Sequence, residues 1–368
     1  MTSIGPREAD TGGRTRAAAD GTGALVRDVV VVGASAGGVE ALIRFVAGLP
    51  ADLPATVLVV LHMPARAPSA LAGILARHGP LPTRSATDRE PLVLGRVLVA
   101  PPDHHLVVTE AGLASIARGP RENGHRPSID VLFRTAAWHL GRRVVAVVLS
   151  GSDDDGTAGC VAVRERGGIV LTQSAADAIY PLMPETATRR AGADVVAPAD
   201  TLGAEVSTII GRTAPTPPPI AVDEERVLGE EAAVDDDETD AVLGHPVGPP
   251  SGFVCPDCNG ALFVASEQPV LRFRCRIGHA WTADNLVAQQ DLTVETALWT
   301  AVRTLQEKAE LADRLGRRAQ EEARPASARK FYEAAREAHR SAAVLKELLT
   351  SVPLAGGDAG ELGGAGTP

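Results

Sequence analysis

Aromatic residues, long apolar runs and cysteines are scarce in this 368-residue sequence, and each scarcity excludes something. Aromatics make up 3% of the chain, so we expect cores built from Val, Leu, Ile and Ala. No apolar run reaches the roughly 18 residues that a membrane span needs, and the N-terminus lacks the apolar stretch of a secretory signal. Four cysteines do not suggest a disulfide framework. We therefore expect a cytoplasmic protein with no membrane insertion.

Positive charge is also in deficit. The sequence has 36 Lys and Arg against 46 Asp and Glu, which gives a formal net charge of -10. Proteins that bind nucleic acid neutralise phosphates with a basic face. The composition therefore argues against nucleic acid as the main partner.

Apolar runs alternate with helical patterns in the first half of the chain. Four Val/Leu/Ile-rich runs, predicted to be buried strands, lie at 28–33, 56–62, 142–151 and 167–173. Strands of this kind separated by helices predict an α/β fold with a doubly wound, mostly parallel sheet and helices on both faces. Residues 91–117 have short runs with turns, which predicts an antiparallel excursion.

The pattern changes along the chain suggest six segments. We predict a disordered N-terminus, a catalytic domain, an acidic Pro-rich linker, a small cysteine-containing module, a helical hairpin and a disordered tail. Their predicted bounds are 1–27, 28–212, 213–250, 251–282, 283–351 and 352–368.

Polar residues follow three of the predicted strands. Ser35 follows the first strand, His62 the second, and the third leads into Asp153, Asp154 and Asp155. The carboxyl ends of parallel strands meet at one edge of a sheet, so these groups are expected to converge. Serine, imidazole and carboxylate are the nucleophile, base and orienting group of an acyl-transfer triad. The spacing does not decide which of the three aspartates takes part.

The turn after the first strand also allows another interpretation. "VGASAGG" is similar to the glycine turn of short-chain dehydrogenases, which use Tyr with Lys four residues later. Here Tyr180 is followed at that spacing by Pro184, and Tyr332 by Arg336. A lone glycine pattern is weak evidence, and this alternative lacks its catalytic pair.

Five motifs in order resemble the catalytic domain of the CheB-type chemotaxis-receptor methylesterases. They occupy about half of the chain, within residues 28–212. They are "GASAGG" at 33–38, "LHMP" at 61–64, "RPSIDVLF" at 126–133, "LSGSDDDGTAG" at 149–159 and "YPLMPETA" at 180–187.

The resemblance implies a reaction and assigns the aspartate. It implies hydrolysis of glutamate γ-methyl esters on a chemoreceptor, with related deamidation of glutamine and no cofactor for catalysis. It makes Ser35 the nucleophile, His62 its base and Asp155 the third member. Small residues at Ala36 and Gly37 leave room for the substrate carbonyl, and the helix that begins near Gly37 directs N–H groups at an oxyanion.

Two departures from the family pattern bear on activity and regulation. Ser152 holds the position of the loop methionine whose backbone N–H the family uses for the oxyanion. Asp153 stands where the family has glycine, so an added carboxylate opposes charge that develops on the oxyanion. Because 27 residues precede the first predicted strand, we also expect no receiver domain in front of the catalytic one.

The cysteine module contains a metal-ligand pattern. Cys255 and Cys258 are separated by two residues, and Cys275 and His279 by three. Two such pairs can surround one tetrahedral ion, so we predict a zinc-ribbon-like module with a structural zinc, all four ligand positions being filled. Unbound cysteines with an incidental histidine are the simpler alternative.

Apolar residues at a spacing of three and four predict two helices after the module. The seams are Leu298, Val302, Leu305, Ala309 and Ala312, then Phe331, Ala335, Ala338, Ala342, Leu345 and Leu349. This spacing is typical of an antiparallel hairpin or a dimeric coiled coil, so self-association is one expected role.

Three functions remain open on the sequence. The first is a serine esterase acting on methylated chemoreceptors. The second is a catalytically silent signalling scaffold, and the third is an esterase of the same fold that acts on a protein outside chemotaxis.

Overall fold

A computed structural model describes residues 25–66, 69–216, 228–229, 231–232 and 248–351. Most of the N-terminal segment, most of the predicted linker and the predicted tail lie outside these residues. The chain divides into two compact units, residues 1–283 and residues 284–368, and each is described by itself. Among the described residues, no helix combines the length and apolar character needed to cross a bilayer.

Ten strands occupy the first part of the described chain. They are β1 (Val29–Ala34), β2 (Thr56–Leu61), β3 (Thr83–Ser85), β4 (Glu90–Pro91), β5 (Arg96–Val99), β6 (His105–Val108), β7 (Leu113–Ala117), β8 (Val144–Val148), β9 (Ile169–Gln173) and β10 (Val195–Ala197). Seven of them form one parallel sheet in the order β10–β9–β8–β1–β2–β5–β3. The remaining three form an antiparallel sheet in the order β4–β7–β6.

Six helices accompany these strands. They are α1 (Gly38–Ala47), α2 (Leu71–His78), α3 (Ile129–Leu140), α4 (Thr157–Glu165), α5 (Leu182–Arg190) and α6 (Ala199–Ile209). Helices α1, α2 and α6 pack on one face of the parallel sheet, and α3, α4 and α5 on the other. Along β1, Val30 and Val32 pack in the core on the side of α1, α2 and α6, whereas Val29 and Val31 pack in the core on the side of α3, α4 and α5. The predicted doubly wound fold is confirmed.

The prediction for residues 91–117 was wrong in one part. β5 is not antiparallel, because it joins the main sheet parallel to β2 and β3. Its residues Val97, Leu98 and Val99 are all buried, as a strand covered on both faces requires. The antiparallel excursion consists of β4, β6 and β7.

The first described residues do not stand apart from the fold. Val26 is buried and pairs with Thr213, and Arg27 N donates to Arg212 O at 3.2 Å. Residues 25–27 therefore pair with the segment that follows α6.

The cysteine module is a four-stranded antiparallel sheet. Its strands, in spatial and chain order, are β11 (Pro250–Val254), β12 (Ala261–Ser266), β13 (Arg272–Cys275) and β14 (Ala280–Thr282). Strands β12 and β13 form the antiparallel hairpin between the two ligand pairs.

The second unit consists of two long helices, α7 (Ala283–Glu321) and α8 (Pro325–Ser351). The contact of Gly316 with the Tyr332 ring and of Asp313 with His339 shows that they run antiparallel. Small residues fill the seam, with Ala309 and Ala312 of α7 and Ala335 of α8 buried. The predicted seam therefore joins the two helices of one chain.

Gly33 tests how closely α3 must approach β1. A Cβ at this position would lie 2.3 Å from Ile129 Cγ2, inside a fully buried core. We expect Gly33→Ala to lower the free energy of unfolding by about 1–3 kcal/mol because the core cannot accept the methyl group without moving α3.

The matched control for this prediction is Gly73→Ala, in the exposed part of α2, where the nearest atom is 3.8 Å away. This change should leave stability unchanged or raise it by up to about 1 kcal/mol. Urea unfolding of both variants measures the difference, and equal stabilities would contradict the argument.

Candidate active site

Ser35 lies in a tight turn between β1 and α1. The turn closes through Gly38 N, which donates to Ser35 O at 2.9 Å. Gly37 adopts a positive φ of 67°, which favours glycine, and a Cβ there would lie 2.8 Å from Ser150 Oγ. Ser35 N donates to Ser150 O at 2.9 Å, so the turn is anchored to the end of β8.

His62 follows β2 and meets the hydroxyl of Ser35. The parallel register pairs Ala34 with Leu61, so the next residue of each strand leaves the sheet at the same edge. His62 Nδ1 lies 3.0 Å from Ser35 Oγ, and His62 Nε2 lies 2.8 Å from Asp155 Oδ2. The three side chains therefore form one continuous hydrogen-bonded chain.

The carboxylate of Asp155 is buried at the N-terminus of α3. Its oxygens accept from Ile129 N at 2.6 Å, from Asp130 N at 3.3 Å and from Ser128 Oγ at 2.9 Å. The side-chain amide of Asn123 donates to it as well, at 3.0 Å. Amides at the start of a helix stabilise a negative charge, so this environment suits an ionised carboxylate.

The other two aspartates of the loop have different partners. Asp154 accepts a hydrogen bond from the hydroxyl of Thr282 at 2.6 Å and contacts Arg190. Asp153 Oδ2 lies 3.3 Å from His62 Nδ1, on the nitrogen that faces Ser35. The geometry separates three carboxylates that the spacing alone could not distinguish.

His125 completes a cluster around the imidazole. Its ring stacks on that of His62 with centroids 3.6 Å apart and planes 11° apart, and its Nε2 lies 3.2 Å from Asp153 Oδ2. A metal ion lies close to the plane of each imidazole that binds it, at about 2.0 Å from the nitrogen. Parallel stacked rings cannot both meet that condition, so the arrangement fits an ion-pair cluster better than a metal site.

The electrostatics of His62 are dominated by two carboxylates. Burial opposes the charged imidazole and lowers its pKa, but Asp153 and then Asp155 outweigh this and raise the pKa of His62 to about 10. In return, despite burial, the imidazole lowers the pKa of both aspartates. Asp153 thus favours the protonated form of the group that faces Ser35.

The residues predicted for the oxyanion lie in the two loops that carry Ser35 and Asp155. Ala36 and Gly37 follow Ser35 directly at the start of α1, and Ala36 O accepts from Ser150 Oγ at 2.7 Å. Ser152 is exposed in the loop that carries Asp155. The Ser35 amide already has a partner in Ser150, which leaves the amides that follow it in the turn as the nearer candidates.

Sequence reasoning missed four residues that support these groups: Asn123, His125, Ser128 and Ser150. Ser128 offered a signal, since a serine before an apolar helical pattern is a typical N-cap. Asn123 and His125 lie in a loop without periodicity. Ser150 follows the same strand as the three aspartates, but the acyl-transfer pattern gave it no role.

The four predicted metal ligands lie together in the cysteine module. Their ligand atoms, from Cys255, Cys258, Cys275 and His279, are all within 4.8 Å of one another. Sγ of Cys258 and Cys275 are 3.7 Å apart, and Sγ of Cys275 lies 3.6 Å from Nδ1 of His279. Tetrahedral zinc, with Zn–S about 2.3 Å and Zn–N about 2.0 Å, places two sulfurs about 3.8 Å apart and sulfur and nitrogen about 3.5 Å apart. The donor set fits zinc in type and spacing.

Comparison with known proteins places the region around Ser35 in a family. The sequence matches the family described as CheB methylesterase over residues 30–206. Residues 30–206 of the chain therefore contain a CheB methylesterase domain. The CheB methylesterase domain contains Ser35, His62 and Asp155, whereas the cysteine module and the two long helices lie outside the match.

Two curated relatives carry the name protein-glutamate methylesterase/protein-glutamine glutaminase. The protein from Geobacter metallireducens is 40% identical over 186 residues, which are 50% of this chain and 52% of the relative. The protein from Anaeromyxobacter dehalogenans is 43% identical over 186 residues, 48% of this chain and 53% of the relative. The chain thus spans about half the length of these relatives.

A solved structure also matches. The catalytic domain of CheB methylesterase from Thermotoga maritima is 30% identical, and the match covers 50% of this chain and 100% of that domain with a TM-score of 0.48.

Removal of the Asp153 charge should change the pH dependence of Ser35 reactivity. The charged and titratable groups that face His62 are Asp153, Asp155 and His125. In Asp153→Asn the His62 pKa should fall by about 1–3 units, because an adjacent opposite charge has this effect. Neutral imidazole then forms at lower pH, so the rising limb of reactivity moves to lower pH.

The rate at which a fluorophosphonate labels Ser35, followed from pH 6 upward, measures this shift. Asp52→Asn, which removes an exposed carboxylate at the opposite end of β2, serves as the control. A profile of Asp153→Asn that coincides with that of the control would contradict the role assigned to Asp153.

Proposed function

We propose that the protein is a cytoplasmic serine esterase that hydrolyses glutamate γ-methyl esters on chemoreceptors and releases methanol. The observation that carries the proposal is the unbroken chain from Ser35 Oγ through the imidazole of His62 to Asp155. The names of the curated relatives support the substrate, and deamidation of glutamine is the related second activity.

In the proposed acyl transfer, each member of this chain has one role. Neutral His62 takes the proton of Ser35 on Nδ1 while the hydroxyl oxygen attacks the ester carbonyl carbon. Asp155 holds the Nε2–H, which fixes the tautomer and stabilises the imidazolium. The carbonyl oxygen becomes an anion, and we assign its stabilisation to the amides of Ala36, Gly37 and Ser152.

Collapse of the tetrahedral intermediate releases the alcohol. The proton on His62 passes to the departing methoxide, methanol leaves, and the glutamyl group stays bound to Ser35 as an ester. Water then attacks this acyl-enzyme with His62 as base, and glutamate and free serine are restored. With a glutamine side chain, ammonia leaves in place of methanol. No metal takes part in these steps.

Asp153 sets a condition on this cycle. The base must be neutral before it can accept a proton, and Asp153 favours its charged form. The same carboxylate opposes negative charge on the oxyanion. We therefore expect a slow esterase at neutral pH, in which a substrate or partner that draws Asp153 away speeds the reaction.

Substitution of the nucleophile tests the esterase. Ser35→Ala should abolish methanol release from a methylated chemoreceptor fragment while the fold remains intact, because alanine is small enough for the turn and has no hydroxyl. Circular dichroism checks the fold. Ser69→Ala, on the loop before α2, removes a hydroxyl that accepts a hydrogen bond from Leu71 N at 3.4 Å and should retain wild-type turnover.

Two results would contradict the esterase. Full activity of Ser35→Ala would refute the assignment of Ser35 as the nucleophile. Lack of methanol release by the wild-type protein would favour the catalytically silent scaffold, and release from other methylated proteins would favour an esterase outside chemotaxis.

We also propose that the cysteine module binds one structural zinc ion. Each ligand pair lies in a turn closed by its own backbone, with Asn259 N donating to Cys255 O at 2.8 Å and Gly278 N donating to Cys275 O at 3.0 Å. Asn259 and Gly278 have positive φ values of 58° and 105°, which direct the turns around the ligand atoms. Four protein ligands leave no open position for substrate.

Metal content tests this proposal. The full-length protein should hold one zinc per chain by inductively coupled plasma mass spectrometry, and Cys255→Ser should lose it. Cys160→Ala is the matched control and should keep the metal, because Cys160 is buried on α4 in the catalytic domain. A wild-type protein with an intact module and no stoichiometric metal would contradict the zinc assignment.

The remaining proposals concern the domains and self-association. We propose residues 28–212 as the catalytic domain, followed by the linker, the cysteine module and the helical hairpin. Self-association through the helices is a further proposal, supported by exposed apolar residues such as Leu311 and Val344.

A further inference from the structure

One edge of the cysteine module lies against the loop before α3. Asn123 N donates to Ala280 O at 2.8 Å, and Ala280 N donates to Arg121 O at 3.3 Å. Glu122 and Ala280 form a parallel β-bridge. Because β14 is the edge strand of the module, residues 121–123 extend its sheet by one short segment.

The side chain of Asn123 connects this edge to the catalytic carboxylate. Its Oδ1 accepts from Thr282 N at 2.8 Å, while its Nδ2 donates to Asp155 Oδ1 at 3.0 Å and to Asp130 Oδ2 at 3.3 Å. If the carboxamide were flipped, its oxygen would face two carboxyl groups and its NH₂ would face the Thr282 N–H. The backbone of β14 therefore fixes the orientation in which Asn123 can donate to Asp155.

A second contact reaches the same loop. Thr282 Oγ donates to Asp154 Oδ1 at 2.6 Å, and both residues are buried. Asp154 immediately precedes Asp155. One residue of the module therefore holds the catalytic loop through its hydroxyl and Asn123 through its amide.

The metal ligands determine where β14 begins. Cys275 is the last residue of β13, and His279 comes directly before β14. Cys275 N donates to His279 O at 2.9 Å across the turn between them. An ion bound by both residues would hold this turn closed and thereby fix the position of Ala280–Thr282.

Buried ion pairs also connect the module to Glu122. Arg272 of β13 donates to Glu122 and to Glu231, each at 2.6 Å, and Arg134 of α3 donates to Glu122. Loss of one partner would leave an uncompensated buried charge, which is strongly destabilising. The side chain of Glu122 thus adds buried ion pairs to the backbone contacts that residues 121–123 make with the module.

We propose that the cysteine module is a clamp on the catalytic carboxylate, with Asn123 and Thr282 as the positioning residues that transmit metal occupancy to Asp155. The inference rests on the proposed esterase. The metal touches no reacting atom, yet activity depends on it through the position of β14.

Substitutions at the two positioning residues test the clamp. Asn123→Leu and Thr282→Val should each lower kcat for methanol release by about 10-fold or more, because each removes a hydrogen bond to a buried charged group. KM should change little, since neither residue faces the substrate. Thr282→Ser keeps the hydroxyl and should restore kcat.

Ser251→Ala is the matched control within the module. It also removes a hydroxyl hydrogen bond, from Ser251 Oγ to Leu262 O at 2.8 Å, but on the strand at the opposite edge of the sheet. It should retain wild-type kcat. Hydrogen exchange of peptides that cover 121–125 and 152–157 should rise in Thr282→Val and stay unchanged in Ser251→Ala.

Metal removal supplies an independent readout. Treatment of the full-length protein with a zinc chelator should lower wild-type kcat by about 10-fold or more, as loss of a supporting contact does. The same treatment should have little further effect on Asn123→Leu, because the connection is already broken. If chelation lowered kcat by the same factor in the wild-type protein and in Asn123→Leu, the metal would act by another route and the inference would be overturned.

The outcomes separate this inference from the function on which it rests. A wild-type protein without esterase activity would overturn both. An active wild-type protein whose kcat is unchanged in Asn123→Leu and Thr282→Val would overturn the clamp alone. If Asn123→Leu fails to fold, Thr282→Val and its serine counterpart decide the question.

Discussion

Burial of the Asp155 carboxylate is the constraint on which the structure of the CheB methylesterase domain depends. A fully buried carboxylate is stable only when its oxygens are paired and hydrogen-bonded. Here a helix N-terminus, a serine hydroxyl, a carboxamide and an imidazole supply those partners. The helix must come close to β1 to reach the loop, and Ile129 therefore fills the place where residue 33 would have a Cβ. The close approach of α3 to β1 therefore explains why residue 33 is glycine.

The two nitrogens of His62 face unequal surroundings. Asp155, which is fully buried, lies 2.8 Å from Nε2 and keeps its other hydrogen-bond partners. Asp153 shares Nδ1 with the hydroxyl of Ser35 and is not enclosed in the same way. In the proposed mechanism, Asp155 therefore orients the imidazole, and Asp153 competes with the Ser35 hydroxyl for the same nitrogen.

Much of this arrangement could be predicted from the sequence. The rest could not, because it depends on tertiary contacts. Ser35 and His62 were found because a residue after a buried parallel strand has a known place. Three adjacent aspartates at one strand end differ only in their tertiary partners, so the choice of Asp155 needed the family resemblance. β5 was assigned to the wrong sheet because a run of four residues carries little information on its neighbours. Asn123 could not be found, since the amide that orients it belongs to Thr282, 159 residues away.

The family match ends at residue 206, but residues 1–283 form one compact unit. Glu122 belongs to the matched region, yet Arg272, one of the cations around it, does not. A fragment cut at the family boundary would leave this acid with Arg134 alone of its three arginines and the 121–123 backbone without its neighbouring strand. A fragment that keeps all the counter-charges of Glu122 must therefore extend beyond the region that resembles known proteins.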